Sequence, residues 1–307
     1  MLTSIKISNF MGIEGTRLVP INTNNSHIHS FDTENKNISS IGLAILDFNA
    51  HSGYPTSSYN HESANLNTEQ KHYEIEMSFN FDGVSVIYTY IKEYVDRTIY
   101  EKVVVDGVTV AELDHRVSGV AFIDLKGAEN LHRDLTDRIM LCLLRYINNN
   151  TILDDNKCNN AVIKLFNYSY DLRHCGFSYI DSSLKNENSP HMAKAVRFIE
   201  HNSLVEKLNI FMTEFGLEGQ LYIDDSWGTK HLRVKGKAGE TRMASVILNE
   251  RELSLVYIFF NLHYPSSALI LDDMDKIIKP SEEEAFMRAL SESNHRNIIL
   301  TSKGLSL

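Results

Sequence analysis

The sequence predicts an α/β protein: a mixed sheet with an antiparallel amino-terminal β portion, a carboxy-terminal α/β core and an inserted helical subdomain. Period-two apolar patterns over residues 73–105 are broken by Asp-Gly pairs, as in a meander of β-hairpins. Apolar positions at helical spacing then dominate residues 120–215. The last third of the chain alternates between helical and strand patterns, which is typical of parallel strands joined by crossover helices.

The elements follow from local patterns taken in order along the chain. A continuous apolar run over 41–46 predicts a strand buried on both faces, and the Asn-, Ser- and Thr-rich segment 22–40 predicts a long loop. Further strands are predicted at 2–10, 16–20, 73–79, 84–91, 98–105, 221–223, 231–234, 267–272 and 297–301. Helices are predicted at 131–146, 161–166, 192–215, 248–262 and 281–293. The predicted domains are a β-rich lobe 1–119, a helical subdomain 120–215 and an α/β lobe 216–307.

Composition narrows the classes of partner. The chain has 307 residues, 43% of them hydrophobic, and a formal net charge of -10, so its average field repels nucleic acid and binding to nucleic acid alone is not expected. No apolar stretch is long enough for a membrane span, and the amino terminus has no secretory pattern, so we expect a cytoplasmic protein. The three cysteines lack a CxxC pair, which indicates reduced thiols.

The segment Ala268–Asp275 carries the clearest chemical signal. Four apolar residues run into Asp272, Asp273 and, two positions later, Asp275. A buried strand that ends in acids can hold Mg²⁺ through its first acid, here Asp272, while the next acid, Asp273, faces the water that attacks a nucleotide. A core strand that ends in a solvated turn explains the same residues, and both interpretations stay open at this point.

The residues around this strand resemble the heads of ABC-type ATPases of the SMC, RecF and OLD group. The signature of that group reads roughly Leu-Ser-Gly-Gly-Glu-x-x-Leu before an apolar helix, and the acidic strand follows at the distance seen here. The resemblance implies an ABC ATPase-like head, with Asp275 at the D-loop that contacts a partner head. The matching positions are Ile5–Phe10, Leu248, Glu252, Ser254, Leu255, Asp275, Pro280 and Asn297–Thr301.

The phosphate loop that the resemblance implies is present only as a remnant. A phosphate loop needs glycines, a Lys for the terminal phosphates and a Ser or Thr for Mg²⁺. After the run 41–46, the chain offers Asn49, Ser52 and Gly53, and then Tyr54 where the Lys is expected, with Thr56 beyond it. An ordinary loop after a strand is an alternative interpretation, and neither interpretation predicts tight ATP binding.

Other positions of the signature depart from the group in the same direction. Asn249, Glu250 and Arg251 stand where the signature has Ser-Gly-Gly, and Glu250 adds a negative charge. At the end of the last strand the group presents a His that senses the γ-phosphate, whereas this chain has Lys303. Asp273 replaces the catalytic Glu and is one methylene shorter.

The leading hypothesis is a catalytically degenerate ABC ATPase-like subunit that acts in assembly or regulation, with no cofactor expected. The resemblance implies a homodimer, or a heterodimer with another ATPase head or an effector protein, and a role in phage defence or counter-defence. One alternative is an active ATPase with an atypical phosphate loop, ATP and Mg²⁺, controlling a nuclease or toxin. A second alternative is an SMC- or RecF-like DNA-binding head.

Overall fold

The structure is a computed structural model that describes residues 1–10, 13–21, 28–32, 44–45, 47–48, 72–93, 97–129, 140–176, 190–226, 228–236, 238–293, 295 and 298–302. The chain divides into two compact units. Unit 1 comprises Met1–His29 and Thr33–Leu172, and unit 2 comprises Ser30–Asp32 and Arg173–Leu307. This division falls inside segment 120–215, so two helices of that segment lie in each unit.

Strands predominate in the first 123 residues of the described chain, and helices and strands are mixed after them. In chain order they are β1 (Leu2–Ser8), β2 (Thr16–Pro20), β3 (Ile28–Asp32), β4 (His72–Phe81), β5 (Val84–Glu93), β6 (Thr98–Val105), β7 (Val108–Asp114), β8 (Phe122–Ile123), α1 (Met140–Asn150), α2 (Lys157–Tyr170), β9 (Leu172–Gly176), α3 (Pro190–His201), α4 (Val205–Glu214), β10 (Gln220–Ser226), β11 (Thr229–Lys235), β12 (Thr241–Met243), α5 (Ala244–Ile247), α6 (Glu250–His263), β13 (Ala268–Asp272), α7 (Glu283–Ser291) and β14 (Ile298–Ser302). Within the residues described above, none of the helices combines the length and apolar character needed to cross a lipid bilayer.

Unit 1 is built on a seven-stranded sheet in the order β2-β1-β4-β5-β6-β7-β8. Its neighbouring strands are antiparallel, and burial alternates along each long strand because successive side chains point to opposite faces. Helix α2 packs against β4, β5 and β6 and covers one face. The antiparallel β portion and the meander predicted from the sequence are thereby confirmed.

Two hairpin turns of this sheet are tied to α2 by ion pairs. Asp82 and the glycine after it have φ values of 55° and 85°, a left-handed pair that glycine and aspartate tolerate. Lys164 on α2 contacts the Asp82 carboxylate at 2.5 Å, and Lys157 contacts Asp106, in the β6–β7 turn, at 2.6 Å. The Asp-Gly residues therefore form the turns, and the two ion pairs link these turns to α2.

The core of unit 1 holds a buried ion pair. Lys92 Nζ on β5 lies 2.7 Å from Asp47 Oδ1, and the two side chains are only 4% and 2% exposed. The hydroxyl groups of Tyr73 and Tyr90 donate to Asp47 Oδ2 at 3.1 Å and 2.9 Å. The charge of Asp47 is therefore neutralised inside unit 1.

A second buried carboxylate caps a helix in the same unit. Glu101 on β6 is fully buried and accepts a hydrogen bond from Tyr88 at 2.6 Å and from the backbone N–H of Met140, the first residue of α1, at 2.6 Å. Burial raises the pKa of Glu101 to about 7, and its hydrogen bonds oppose that rise. Glu101 on β6 thus accepts from an N–H group at the start of α1, and its carboxyl group titrates near neutral pH.

Unit 2 contains a four-stranded sheet in the order β3-β14-β13-β9 and a three-stranded sheet in the order β10-β11-β12. Strands β13 and β14 run parallel, and Asp272 lies opposite Thr301. Helix α6 is buried over most of its length, from Leu253 to Leu262, and packs with α3 and α4. The predicted parallel α/β core is confirmed, with a helix between its two parallel strands.

Two sequence-based assignments near the amino terminus are wrong. Residues 41–46 were expected to form a strand, but Ala44 and Ile45 are helical, as are Asp47 and Phe48. All four are buried, and a short apolar run cannot distinguish a buried helix from a buried strand. The segment 22–40, expected to be a loop, contains strand β3 at Ile28–Asp32.

Candidate functional site

The acidic strand end lies where a parallel sheet presents ligand-binding residues. Ala268, Leu269, Ile270 and Leu271 are fully buried, whereas Asp272 is half-buried at the carboxyl end of β13. The backbone N–H of Asp273 donates to Asp272 Oδ1 at 3.1 Å. Ligands of α/β proteins bind outside this edge of the sheet, so the position of Asp272 fits the predicted site.

The negative charge of Asp273 is compensated by a lysine in the next turn. The backbone of Asp273 is left-handed, with φ 56° and ψ 33°, a conformation that aspartate tolerates better than most residues. The chain then enters a 3-10 turn at Met274–Lys276, and Lys276 Nζ approaches Asp273 Oδ2 to 2.7 Å. The residue expected to act as a base is therefore paired with a lysine three positions away.

The three acids of this segment do not converge on one point. Asp275 lies in the 3-10 turn and is exposed. Among the residues that the structure describes, no three His, Cys, Asp or Glu side chains are grouped so that they could hold a metal ion. The roles predicted for Asp272, Asp273 and Asp275 stay predictions.

The signature-like residues open α6 with a capping box. Asn249 is the N-cap, its side chain accepts from the Glu252 backbone N–H at 3.0 Å, and the Glu252 carboxylate accepts from the Asn249 N–H at 2.9 Å. Each side chain satisfies one donor that the helix end leaves unpaired. Both residues therefore act locally as helix-initiation residues.

Arg251 is held by its own unit. Its Nε donates to the carbonyl oxygen of Ile277 at 2.6 Å, a second nitrogen donates to the carbonyl oxygen of Phe215 at 3.3 Å, and a third contacts the Glu282 carboxylate. The guanidinium group of Arg251 joins three chain segments. This residue therefore cannot give the close backbone approach that a glycine of the signature allows. Glu250, the residue before it, stays exposed.

An open groove runs along this helix start. It is lined by Ser245, Leu248, Asn249, Glu250, Arg251, Leu253 and Lys276. The start of α6 and the 3-10 turn after β13 thus share one surface. Asn249 and Glu250 contribute polar groups to it, and Lys276 contributes a positive charge. The predicted signature-like and D-loop-like segments are therefore neighbours in unit 2.

Loss of the capping box should loosen the first turn of α6. We expect Asn249→Ala to destabilise this turn by about 1 kcal/mol, because the Glu252 N–H loses its side-chain partner. Hydrogen exchange of the first-turn amides measures the effect. Asn202→Ala, which removes a side-chain hydrogen bond to Phe198 O at the end of α3, is the control and should leave α6 exchange unchanged. Equal exchange in the two variants would contradict the assignment.

The remnant of the phosphate loop lies outside the described residues. This applies to Asn49, Ser52, Gly53, Tyr54 and Thr56, as it does to the sensor position Lys303. Their roles stay predictions. The placement of the loop depended on a strand at 41–46, and that strand is not present at Ala44 and Ile45.

Lys276 is the residue of this site that the sequence analysis missed. The signal was present, because an acid and a lysine three positions apart face the same side of a helical turn. A helical turn directly after β13 was needed to use it, and the sequence analysis offered a turn there only as one of two open interpretations.

Comparisons with known proteins identify the fold. No protein family and no curated protein matches the sequence. A solved structure of an SMC head bound to the C-winged helix domain of ScpA matches with a TM-score of 0.56 and 9% identity, over 99% of this chain and 90% of that chain. The SMC head domain from Thermotoga maritima matches with a TM-score of 0.47 and 14% identity, over 99% and 89% of the two chains.

The match to the ScpA-bound head extends over nearly the whole chain and over most of the solved domain. It agrees with the antiparallel sheet of unit 1 and the parallel β13–β14 pair of unit 2. At this low identity the likeness concerns the fold and not the activity. The chain has the mixed α/β fold of an SMC head, an ABC ATPase-like fold.

Proposed function

We propose that this chain is a catalytically degenerate ABC ATPase-like head that acts as an assembly or regulatory subunit. Such a subunit keeps the architecture through which heads contact other proteins, but it does not depend on ATP turnover. Fold alone does not determine activity, so the proposal rests on the residues at the acidic strand end and at the start of α6.

The observation that carries the proposal is the pairing of Asp273 with Lys276 at 2.7 Å. Asp273 occupies the position of the catalytic base in the resemblance. A base must reach the attacking water within hydrogen-bond distance, but here the carboxylate of Asp273 is engaged by the ammonium group of Lys276. The residues of this strand end therefore fit Mg²⁺ and ATP poorly.

The start of α6 supports the same interpretation. In the resemblance, the glycines of the signature bring backbone close to a phosphate held by the partner head. Here Arg251 is fixed by two carbonyl oxygens and Glu282, and the exposed Glu250 would place a negative charge next to that phosphate. Contact between heads through this surface would then depend on protein groups and not on a shared nucleotide.

Partner binding is the activity that remains for such a head. The SMC head in the matched structure is bound to a protein domain, the C-winged helix domain of ScpA. For this chain we propose a homodimer, or a heterodimer with another ATPase head or with an effector protein. A nuclease or toxin in phage defence or counter-defence fits the implied kinship with the OLD and RecF group.

An active ATPase with an atypical phosphate loop is the second candidate. The position of Asp272 favours it, because this acid lies half-buried at the carboxyl end of β13 beside a parallel strand. Asp272 would then hold Mg²⁺. The DNA-binding alternative gains no support, since the net charge of the chain is -10.

The two candidates differ in how the full-length chain responds to ATP. For the degenerate head we expect no micromolar binding of ATP with Mg²⁺ by calorimetry and no release of labelled phosphate. Self-association or partner capture, measured by light scattering and copurification, should be the same with and without ATP. Asp273→Ala should leave both unchanged, and Glu283→Ala, an acid in the first turn of α7, is the matched control.

The opposite results would contradict the proposal. Micromolar ATP binding, together with turnover that Asp273→Ala abolishes, would establish the active ATPase. Association that occurs only with bound ATP would also overturn an assembly role independent of nucleotide.

A further inference from the structure

The acidic strand end already carries a positive charge from its own chain. Lys276 Nζ lies 2.7 Å from Asp273 Oδ2. The pKa of Lys276 is raised by its hydrogen bond to Asp273 and by the charges of Asp273, Asp275 and Asp272. The charges of Asp272, which was expected to hold Mg²⁺, of Asp273 and of Asp275 therefore all favour the ammonium form of Lys276.

The local backbone holds Lys276 in this position. The left-handed Asp273 starts the 3-10 turn Met274–Lys276, and Lys276 N–H donates to the Asp273 carbonyl oxygen at 3.1 Å. Side chains three positions apart lie over one another in a 3-10 turn. Met274 is fully buried and Ile277 is 1% exposed, so apolar packing on both sides fixes the turn.

We propose that Lys276 is an internal counter-ion that takes the place of a divalent cation at the end of β13. The inference deepens the proposed function and rests on it, because it explains why the strand end of a degenerate head needs no metal. A metal ion would have to approach the acids against the ammonium charge. The lysine also lines the groove at the start of α6, so the contact lies on the surface where ligands and partners would arrive.

Removing the lysine charge tests the contact directly. We expect Lys276→Met in the full-length chain to bind Mn²⁺ roughly tenfold more tightly than the unmodified chain. That is the effect of one positive charge about 6 Å from a divalent ion in water. The readout is free Mn²⁺ measured by electron paramagnetic resonance at low ionic strength and without nucleotide, so that it does not depend on any enzymatic activity.

Lys279→Met is the matched control. Lys279 also pairs with an acid three positions away, since its Nζ lies 3.8 Å from Glu282 Oε1, and its side chain is 63% exposed. It does not contact the acids of β13, so its substitution should leave Mn²⁺ binding unchanged. Lys276→Gln, a polar substitution at the same half-exposed position, should reproduce the gain if Lys276→Met folds poorly.

Two results would overturn the inference. One is Mn²⁺ affinity in Lys276→Met and Lys276→Gln equal to that of the unmodified chain, and the other is an equal gain in Lys279→Met. Adding Asp273→Asn to Lys276→Met should abolish the gain, and persistence of the gain would place the bound ion elsewhere. These outcomes are separate from failure of the proposed function, which would appear as ATP binding and turnover by the unmodified chain.

Discussion

Replacing Glu101 by glutamine is expected to stabilise unit 1 by about 3 kcal/mol near pH 8 and to change its stability little near pH 4. The pKa of Glu101 is raised from 4.5 to about 7 by burial. Between these values the folded chain keeps a proton that the unfolded chain has released. Stability of the unmodified protein therefore falls as pH rises from 4.5 to 7, and the loss stays constant above that range.

Glutamine removes this loss while it keeps the hydrogen bonds. Its oxygen can accept from the Met140 N–H, and its amide can donate to the Tyr88 oxygen, so the cap of α1 persists. Lys92, which acts on Glu101, and Asp47 and Cys142, which act on its partner Tyr88, are the same in both proteins. The pH dependence of the difference therefore reports Glu101.

Native-state hydrogen exchange of β5 and β6 amides measures the effect within unit 1, without assuming that both units unfold together. Glu112→Gln is the matched control, because Glu112 also accepts from a tyrosine, Tyr100 at 2.7 Å, but its side chain is 38% exposed. It should show no comparable gain. A Glu101→Gln gain of equal size at pH 4 and pH 8, or a loss at pH 8, would contradict the prediction.

Local signals were sufficient for the parts of the fold with short-range patterns. The hairpins of unit 1 follow from Asp-Gly turns, and β13 follows from a buried apolar run. Strand β3 was missed because its sequence, Ile-His-Ser-Phe-Asp, carries too few apolar residues to stand out from the polar segment around it. The run 41–46 misled because a continuous apolar run lacks the period that separates helix from strand.

The candidate site was predicted in part. The position of Asp272 at a strand end came from the apolar run before it, and the structure places that residue there. Asn249 and Glu252 were interpreted only as signature positions, although an Asn followed three residues later by Glu is itself a capping-box signal. The role of Arg251 could not be predicted, because its partners Phe215 and Ile277 are far away in sequence.

The buried ion pair also could not be predicted from the sequence, because its two residues are far apart in the chain. Asp47 directly follows an apolar run in the sequence, and it pairs with Lys92, which is 45 positions away in the chain. Nothing in either local pattern indicates that pairing. A buried charge is found only with its partner, so a lone acid after an apolar run is a reason to look for a distant lysine or arginine.

Lys92→Met is expected to destabilise unit 1 by about 3–5 kcal/mol, because it leaves the Asp47 carboxylate buried without a cation. The hydrogen bonds from Tyr73 and Tyr90 to Asp47 Oδ2 remain, but they do not supply the missing charge. Hydrogen exchange of the β4 and β5 amides and urea denaturation followed by circular dichroism measure the loss.

The double variant Lys92→Met with Asp47→Asn separates loss of the charge from loss of packing. The asparagine introduced by Asp47→Asn is neutral and its oxygen can still accept from both tyrosines, so the double variant should be more stable than Lys92→Met alone. Lys157→Met, which removes the exposed pair with Asp106, is the control and should cost less than about 1 kcal/mol. If Lys92→Met costs no more than this control, the Lys92–Asp47 pair does not stabilise the core. If the double variant is the less stable of the two, the unpaired charge of Asp47 is not the cause of the loss.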